Sequence, residues 1–227
     1  MDPLRIDLQL KSAMAAPNIP VHLDGLIAYI YVQQNLIDGD IDRDHLIADL
    51  PIEKFEDDDN WFYKASMFMP AAPQSHSSKF WTQRINEVDS CRRIVNGDVA
   101  LKGRKTLDQL SRHDIKIDST RGSQRKMLGF FPITSCAQYR AFCIGDKEQI
   151  EELLLSGYIT HFGPKRGTGH GEILDIDVSV DKNASDNWSL RHKHVRINDN
   201  DIQTECSIRP PYWEHKNRML GFGPATL

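Results

Sequence analysis

Apolar and polar side chains alternate from Leu4 to Leu10, with Leu4, Ile6, Leu8 and Leu10 on one face, which is the period of a half-buried strand. After a proline-containing link (residues 16–20) the period changes. Leu23, Leu26, Ile27, Ile30 and Tyr31 recur at helical spacing, with Asp24 in the first turn. Residues 38–59 are strongly acidic and end in Glu56-Asp57-Asp58-Asp59. Trp61 to Met69 predicts a second strand, closed by Pro70. Residues 71–130 lack regular apolar periodicity and are rich in Ser, Gly and polar residues, so they read as a long insertion or an extended hairpin. Periodicity returns with a short apolar strand from Tyr139 to Ile144, a helix from Lys147 to Leu155 that ends near Gly157, and an alternating strand from Glu172 to Val180.

The order strand, helix, strand, insertion, strand, helix, strand predicts an α+β chain of the ferredoxin-like (RRM-like) β-α-β-β-α-β type. Its core is expected from residues 1–70 and 131–180, with the insertion at 71–130 and a C-terminal extension at 181–227 that packs on the core. Such a sheet carries helices on one face and can offer the other to RNA. Within the extension, Arg209-Pro210-Pro211-Tyr212-Trp213 and Gly221-Phe222-Gly223-Pro224 suggest an ordered, turn-rich segment. Pro-Pro-Tyr-Trp reads as a packed strap in preference to a stacking platform.

The chemistry concentrates in Gly163-Pro164-Lys165-Arg166-Gly167-Thr168-Gly169-His170-Gly171, between the second helix and the last strand. A P-loop has a lysine after its last glycine and opens a helix, whereas His170 follows Gly169 here and a strand comes next. A dinucleotide fingerprint also opens a helix. Two readings remain: an ordinary glycine turn with solvated charges, or an anion cradle in which closely spaced glycines let the backbone approach a bulky ligand.

The net charge of −4 changes the picture only once it is divided along the chain. Residues 71–130 hold twelve Lys/Arg against six acids, so the insertion is +6 and the rest is −10. A positive block inside an acidic chain favours a nucleic-acid partner. The four cysteines (Cys91, Cys136, Cys143, Cys206) show no metal or redox spacing and predict free thiols in a cytoplasmic protein. No apolar run reaches the ~20 residues of a membrane span, and the first residues lack a signal-peptide pattern. Two histidines in Arg191-His192-Lys193-His194 stand among cations that disfavour a metal, and the acidic runs lack EF-hand spacing. No metal or cofactor is expected.

These features together resemble the RAMP superfamily of CRISPR RNA-binding proteins. The opening Pro3-Leu4-Arg5-Ile6, the helix start Pro20-Val21-His22-Leu23-Asp24-Gly25-Leu26 and the glycine loop are similar to the Csf-type, Cas5-like subunit of type IV effector complexes. The resemblance implies a non-catalytic subunit that caps the 5′ handle of the crRNA, helps assemble the backbone for target DNA recognition, and uses the insertion as a thumb. It implies RNA contacts at Gly163, Lys165, Arg166, Gly167, Thr168, Gly169, His170 and Gly171. Further contacts are expected from the insertion at Arg92, Arg93, Lys102, Arg104, Lys105, Arg121, Arg125 and Lys126. A Cas7-like backbone subunit and a Cas8-like large subunit are the implied protein partners. Target DNA near the PAM end and a DinG-family helicase are further candidates. The alternative is a metal-independent endoribonuclease of the same fold that processes precursor crRNA, with His22 or His170 as the catalytic candidates.

Overall fold

The computed structural model describes residues 1–35, 43–57, 60–83, 88, 92, 96 and 127–225. The chain is mixed α+β with mostly antiparallel sheets. It divides into one compact unit of residues 1–77 with 133–227, and a second of residues 78–132.

The first unit is built on β1 (Asp2–Leu10), β2 (Met14–Ala15) and α1 (Leu23–Asn35), followed by α2 (Arg43–Ala48) and the hairpin β3 (Lys54–Asp57) and β4 (Asn60–Tyr63). A two-residue strand, β5 (Met69–Pro70), leads to β6 (Gln74–Gln83), which runs out into the second unit. The chain returns along β7 (Met127–Cys136) and continues through β8 (Gln138–Gly145), α3 (Lys147–Leu155), β9 (Ile173–Val180) and the short α4 (Ala184–Asn187). A last hairpin pairs β10 (Asp201–Ser207) with β11 (Arg218–Pro224).

The central sheet has the order β5-β8-β1-β9, with every neighbour antiparallel. β1 is its axis: Leu4, Ile6 and Leu8 lie opposite Cys143, Ala141 and Tyr139 on one side and Val180, Val178 and Ile176 on the other. These side chains share a face and, apart from the exposed Val180, pack with Leu23, Ile27 and Ile30 of α1 and Ile150 and Leu154 of α3. α3 starts where the sequence predicts, because Asp146 accepts the Gln149 N–H at 3.0 Å and Gln149 Nε2 reaches back to its carboxylate at 3.3 Å. It stops at Ser156, where Gly157 turns into the left-handed region (φ 82°).

Two expectations change. The strand expected from Trp61 to Met69 is interrupted after Tyr63. The carbonyls of Tyr63 and Ala65 turn to the Arg191 guanidinium, and Ser66 trades backbone and side-chain hydrogen bonds with Phe142. The sheet face opposite α1 and α3 is covered in part. Phe142 points to it by strand alternation yet is 8 % exposed, and α4 packs against β8 and β1 there. The remainder of that face carries Asp7, clamped between Arg140 (2.7 Å) and Arg5 (3.0 Å), and the exposed Gln9, Asp175 and Asp177.

Of the second unit the description includes the outer parts of β6 and β7. There Phe80 and Phe130 are both exposed, with ring centroids 4.2 Å apart. Among the described residues no helix is long and apolar enough to cross a membrane.

Candidate functional site

The glycine loop is a lip sewn to the end of β1. Phe162 N–H donates to the Gly171 carbonyl at 2.7 Å and Gly171 N–H to Ala13 O at 3.0 Å. Ser12 Oγ accepts from Glu172 N–H at 2.9 Å and donates to Gly169 O at 3.0 Å. His170 is folded beneath the loop, 6 % exposed, with Nδ1 3.2 Å from Ala13 O. Two glycines close the lip. At Gly171 (φ 71°) a Cβ would collide with the Phe162 carbonyl, and at Gly163 (φ 84°) it would stand 2.6 Å from Met14 Sδ.

The tip differs from its base. Lys165 is left-handed (φ 61°), and a short 3-10 turn over Arg166–Thr168 follows. Thr168 ties this turn down by donating both N–H (3.0 Å) and Oγ1–H (2.8 Å) to Lys165 O. Lys165, Arg166 and Gly167 are exposed side by side, and the Arg166 guanidinium lies 5.0 Å from the Tyr29 ring centroid on α1. Around Gly167 a Cβ would meet nothing within 4 Å, and its φ is ordinary. The chain's own packing therefore does not demand a glycine there, and the backbone is open to close approach from outside.

The structure thus brings Lys165, Arg166, Gly167 and Thr168 together at one tip and places His170, Gly163 and Gly171 in its foundation. Of the insertion residues, Arg92 is exposed, and its carbonyl accepts the Asn96 N–H at 2.9 Å. Arg93, Lys102, Arg104, Lys105, Arg121, Arg125 and Lys126 lie outside the described residues.

His22 sits elsewhere, at the start of α1, and is 2 % exposed. Its ring stacks on Tyr212 (centroids 4.4 Å, 11°), and its Nε2 is 3.3 Å from His192 Nδ1. Burial, then the neighbouring Arg191 and His192, hold its pKa well below the ordinary value, so it is neutral near pH 7.

Beside it lies a buried ionic cluster that the sequence reading missed. Arg191, fully buried, donates to Asp24 Oδ2 (3.1 Å), Ala65 O (2.8 Å), Ile208 O (2.6 Å), Tyr212 Oη (2.9 Å) and Tyr63 O. Tyr212 Oη donates in turn to Asp24 at 2.7 Å. Burial opposes the charge on Arg191, but Asp24 and Tyr212 beside it outweigh burial and raise its pKa. Lys193, equally buried, pairs with Asp201 at 2.8 Å. One local signal pointed to this: Asp24 shares the helix face of Ile27 and Ala28, and an acid on an apolar stripe requires a cation. The cluster fixes the extension to the core, with Tyr212 turned inward and Trp213 outward. Three cysteines, Cys136, Cys143 and Cys206, are buried free thiols, and no metal-holding group of His, Cys, Asp and Glu occurs among the described residues.

A family model described as CRISPR type IV associated protein Csf3 matches residues 2–224. The chain belongs to the Csf3 family. The match runs through the core, the insertion and the extension alike, so the Csf3 description applies to the whole architecture above and not to the glycine lip alone. It places the chain in the type IV CRISPR system and among partner subunits. The comparison with curated proteins gives no match.

Proposed function

We propose that this Csf3-family chain is the non-catalytic, Cas5-like subunit that caps the 5′ handle of the crRNA in a type IV effector complex. The sheet order β9-β1-β8-β5, all antiparallel with α1 and α3 on one face, supports a ferredoxin-like RAMP core. The observation that carries the reading is the lip: an exposed Lys165-Arg166-Gly167 tip on a foundation stitched to β1 by His170, Ser12 and Gly171. A rigid base holds two cations and an unobstructed backbone where a phosphate can meet them. The exposed Phe80–Phe130 pair adds a stacking surface within the +6 insertion. Cas7-like and Cas8-like subunits are the proposed neighbours, with a helicase of the DinG family and PAM-proximal DNA as further partners.

The endoribonuclease reading draws no support from the geometry. His22 is buried against Tyr212 and His192, and His170 is buried against Ala13, so neither histidine is presented at the exposed tip.

The test measures binding of the full-length chain to a labelled 5′-handle RNA across a salt series. Wild type should lose affinity steeply with salt, because displaced counterions dominate phosphate binding. Lys165→Glu with Arg166→Glu should weaken binding and flatten the slope by about 1.4, or ~0.7 for each phosphate no longer neutralised. Labelled precursor crRNA should remain uncut. Unchanged affinity and slope in the double variant would remove the lip from the RNA surface.

A further inference from the structure

Next to the lip lies a cavity of about 670 Å³, within the size range of small-ligand sites. Two of its lining residues adjoin the lip. Met14 packs against Gly163, and Phe162 is the residue on which the loop closes. Any group entering the cavity is therefore next in space to the chain leading to the Lys165-Arg166-Gly167 tip.

Its walls are flat and apolar. The Phe162 ring meets Phe68 edge-on (4.9 Å, 68°) and Tyr139 at a tilt (5.4 Å, 49°), which fixes an aromatic wall, and Pro70 and Pro73 line it as well. Polar groups are few. Tyr139 is 4 % exposed, yet its buried hydroxyl has no hydrogen-bond partner among the described residues. That hydroxyl has no surface of its own on the cavity, so Tyr139 contributes its ring to the wall. Thr134 Oγ1 and His76 Nδ1 pair at 3.3 Å on the cavity lining, and Gln74, exposed, joins them.

A flat apolar interior, a polar edge at Gln74, Thr134 and His76, and a cationic lip alongside match a ligand with a planar π-face, polar edges and an adjoining phosphate. We propose that the cavity holds one unstacked nucleobase of the RNA whose backbone crosses the lip. This deepens the handle-binding reading and rests on it. An apolar side chain from a partner subunit would fill the same walls but would use neither the polar edge at Gln74 and Thr134 nor the cations of the adjoining lip.

The test uses full-length protein and a set of labelled single-stranded RNA octamers of handle sequence, each with one abasic site, followed by fluorescence anisotropy. In wild type, one abasic position should lower affinity about tenfold, the scale set by removing one stacked base. Ala72→Trp, which fills the cavity from a half-buried lining position, should weaken the intact octamer by a similar factor. It should have no effect on the octamer abasic at that position, since contacting groups couple and distant ones do not. Tyr139→Phe is the conservative control. It removes an unpaired hydroxyl buried behind the wall and keeps the ring, so thermal stability should hold or rise and affinity for every octamer should stay at the wild-type value. If every abasic octamer binds like the intact one, or if Ala72→Trp weakens all of them equally, the cavity holds no base while RNA binding by the lip stands. If wild type binds no octamer at low salt, the handle reading fails and the pocket with it.

Discussion

Replacing Arg191 by Met removes the cation of the buried cluster while keeping much of its volume. Asp24 is then left fully buried without a partner charge, and breaking a buried pair in this way costs about 3–5 kcal/mol. The carbonyls of Tyr63, Ala65 and Ile208 lose their donors as well, at about 1 kcal/mol or more each. Even with partial relaxation the total is about 5 kcal/mol, a large share of the ~5–15 kcal/mol that holds a domain together. Urea unfolding followed by tryptophan fluorescence suits the measurement, since Trp188 lies close by in sequence and packs near Phe62. With a slope of about 2 kcal/mol per molar urea, the midpoint should fall by about 2.5 M. Adding Asp24→Leu should recover roughly the pair's share, about 3 kcal/mol, because two apolar residues no longer strand a charge. A midpoint within about 0.5 M of wild type for Arg191→Met would refute the reasoning, as would a double variant no more stable than the single one.

Other outcomes follow from the same geometry. His22 and His192 have pKa values held below the unfolded value by burial and by the cations beside them, so the unfolded chain binds more protons below about pH 6.5. Stability should be complete above that pH and fall by about 1.4 kcal/mol per unit below it for His22 alone, with a smaller addition from the partly exposed His192; a urea midpoint that is flat from about pH 7.5 to 5.5 contradicts this. Gly171→Ala should lower stability by at least about 2 kcal/mol through its left-handed φ and the Phe162 carbonyl, whereas Gly167→Ala should stay within about 0.5 kcal/mol in the same urea series. Phe80→Ala should leave the melting temperature unchanged, since the ring is exposed, and weaken handle binding about tenfold by anisotropy; equal affinity would take the aromatic pair out of the interface.

Periodic elements are legible in the sequence. β1, α1, β8, α3 and β9 lie where alternation or helical spacing places them, because each buries one face on a shared core. The stretch after Tyr63 is not, since its carbonyls answer to a guanidinium 128 residues later in the chain. Arg191 and Lys193 read as cations that disfavour a metal, and nothing in Arg-His-Lys-His reveals that they are the buried members. Their partners Asp24 and Asp201 decide it, and Asp24 is 167 residues away. The glycine loop is visible as a motif, but its division into a glycine-dependent base and an open tip exists only in three dimensions. The cavity beside it is invisible in the sequence for the same reason: Met14, Phe68, Tyr139 and Phe162 come from four separate elements or links.

The Arg191 cluster also bears on how the molecule comes into being on the ribosome. α1 carries Asp24 on its apolar side, yet the guanidinium and the phenol that accept that carboxylate belong to residues 191 and 212. While the first 190 residues emerge, docking α1 would bury a bare carboxylate, so that acid favours a hydrated, undocked helix. β1 likewise waits for strands at 138–145 and 173–180. The apolar core has all its members by residue 178, but the partners of the acid within it arrive only with residues 191 and 212, so the extension acts as a late lock on a core assembled from residues before it.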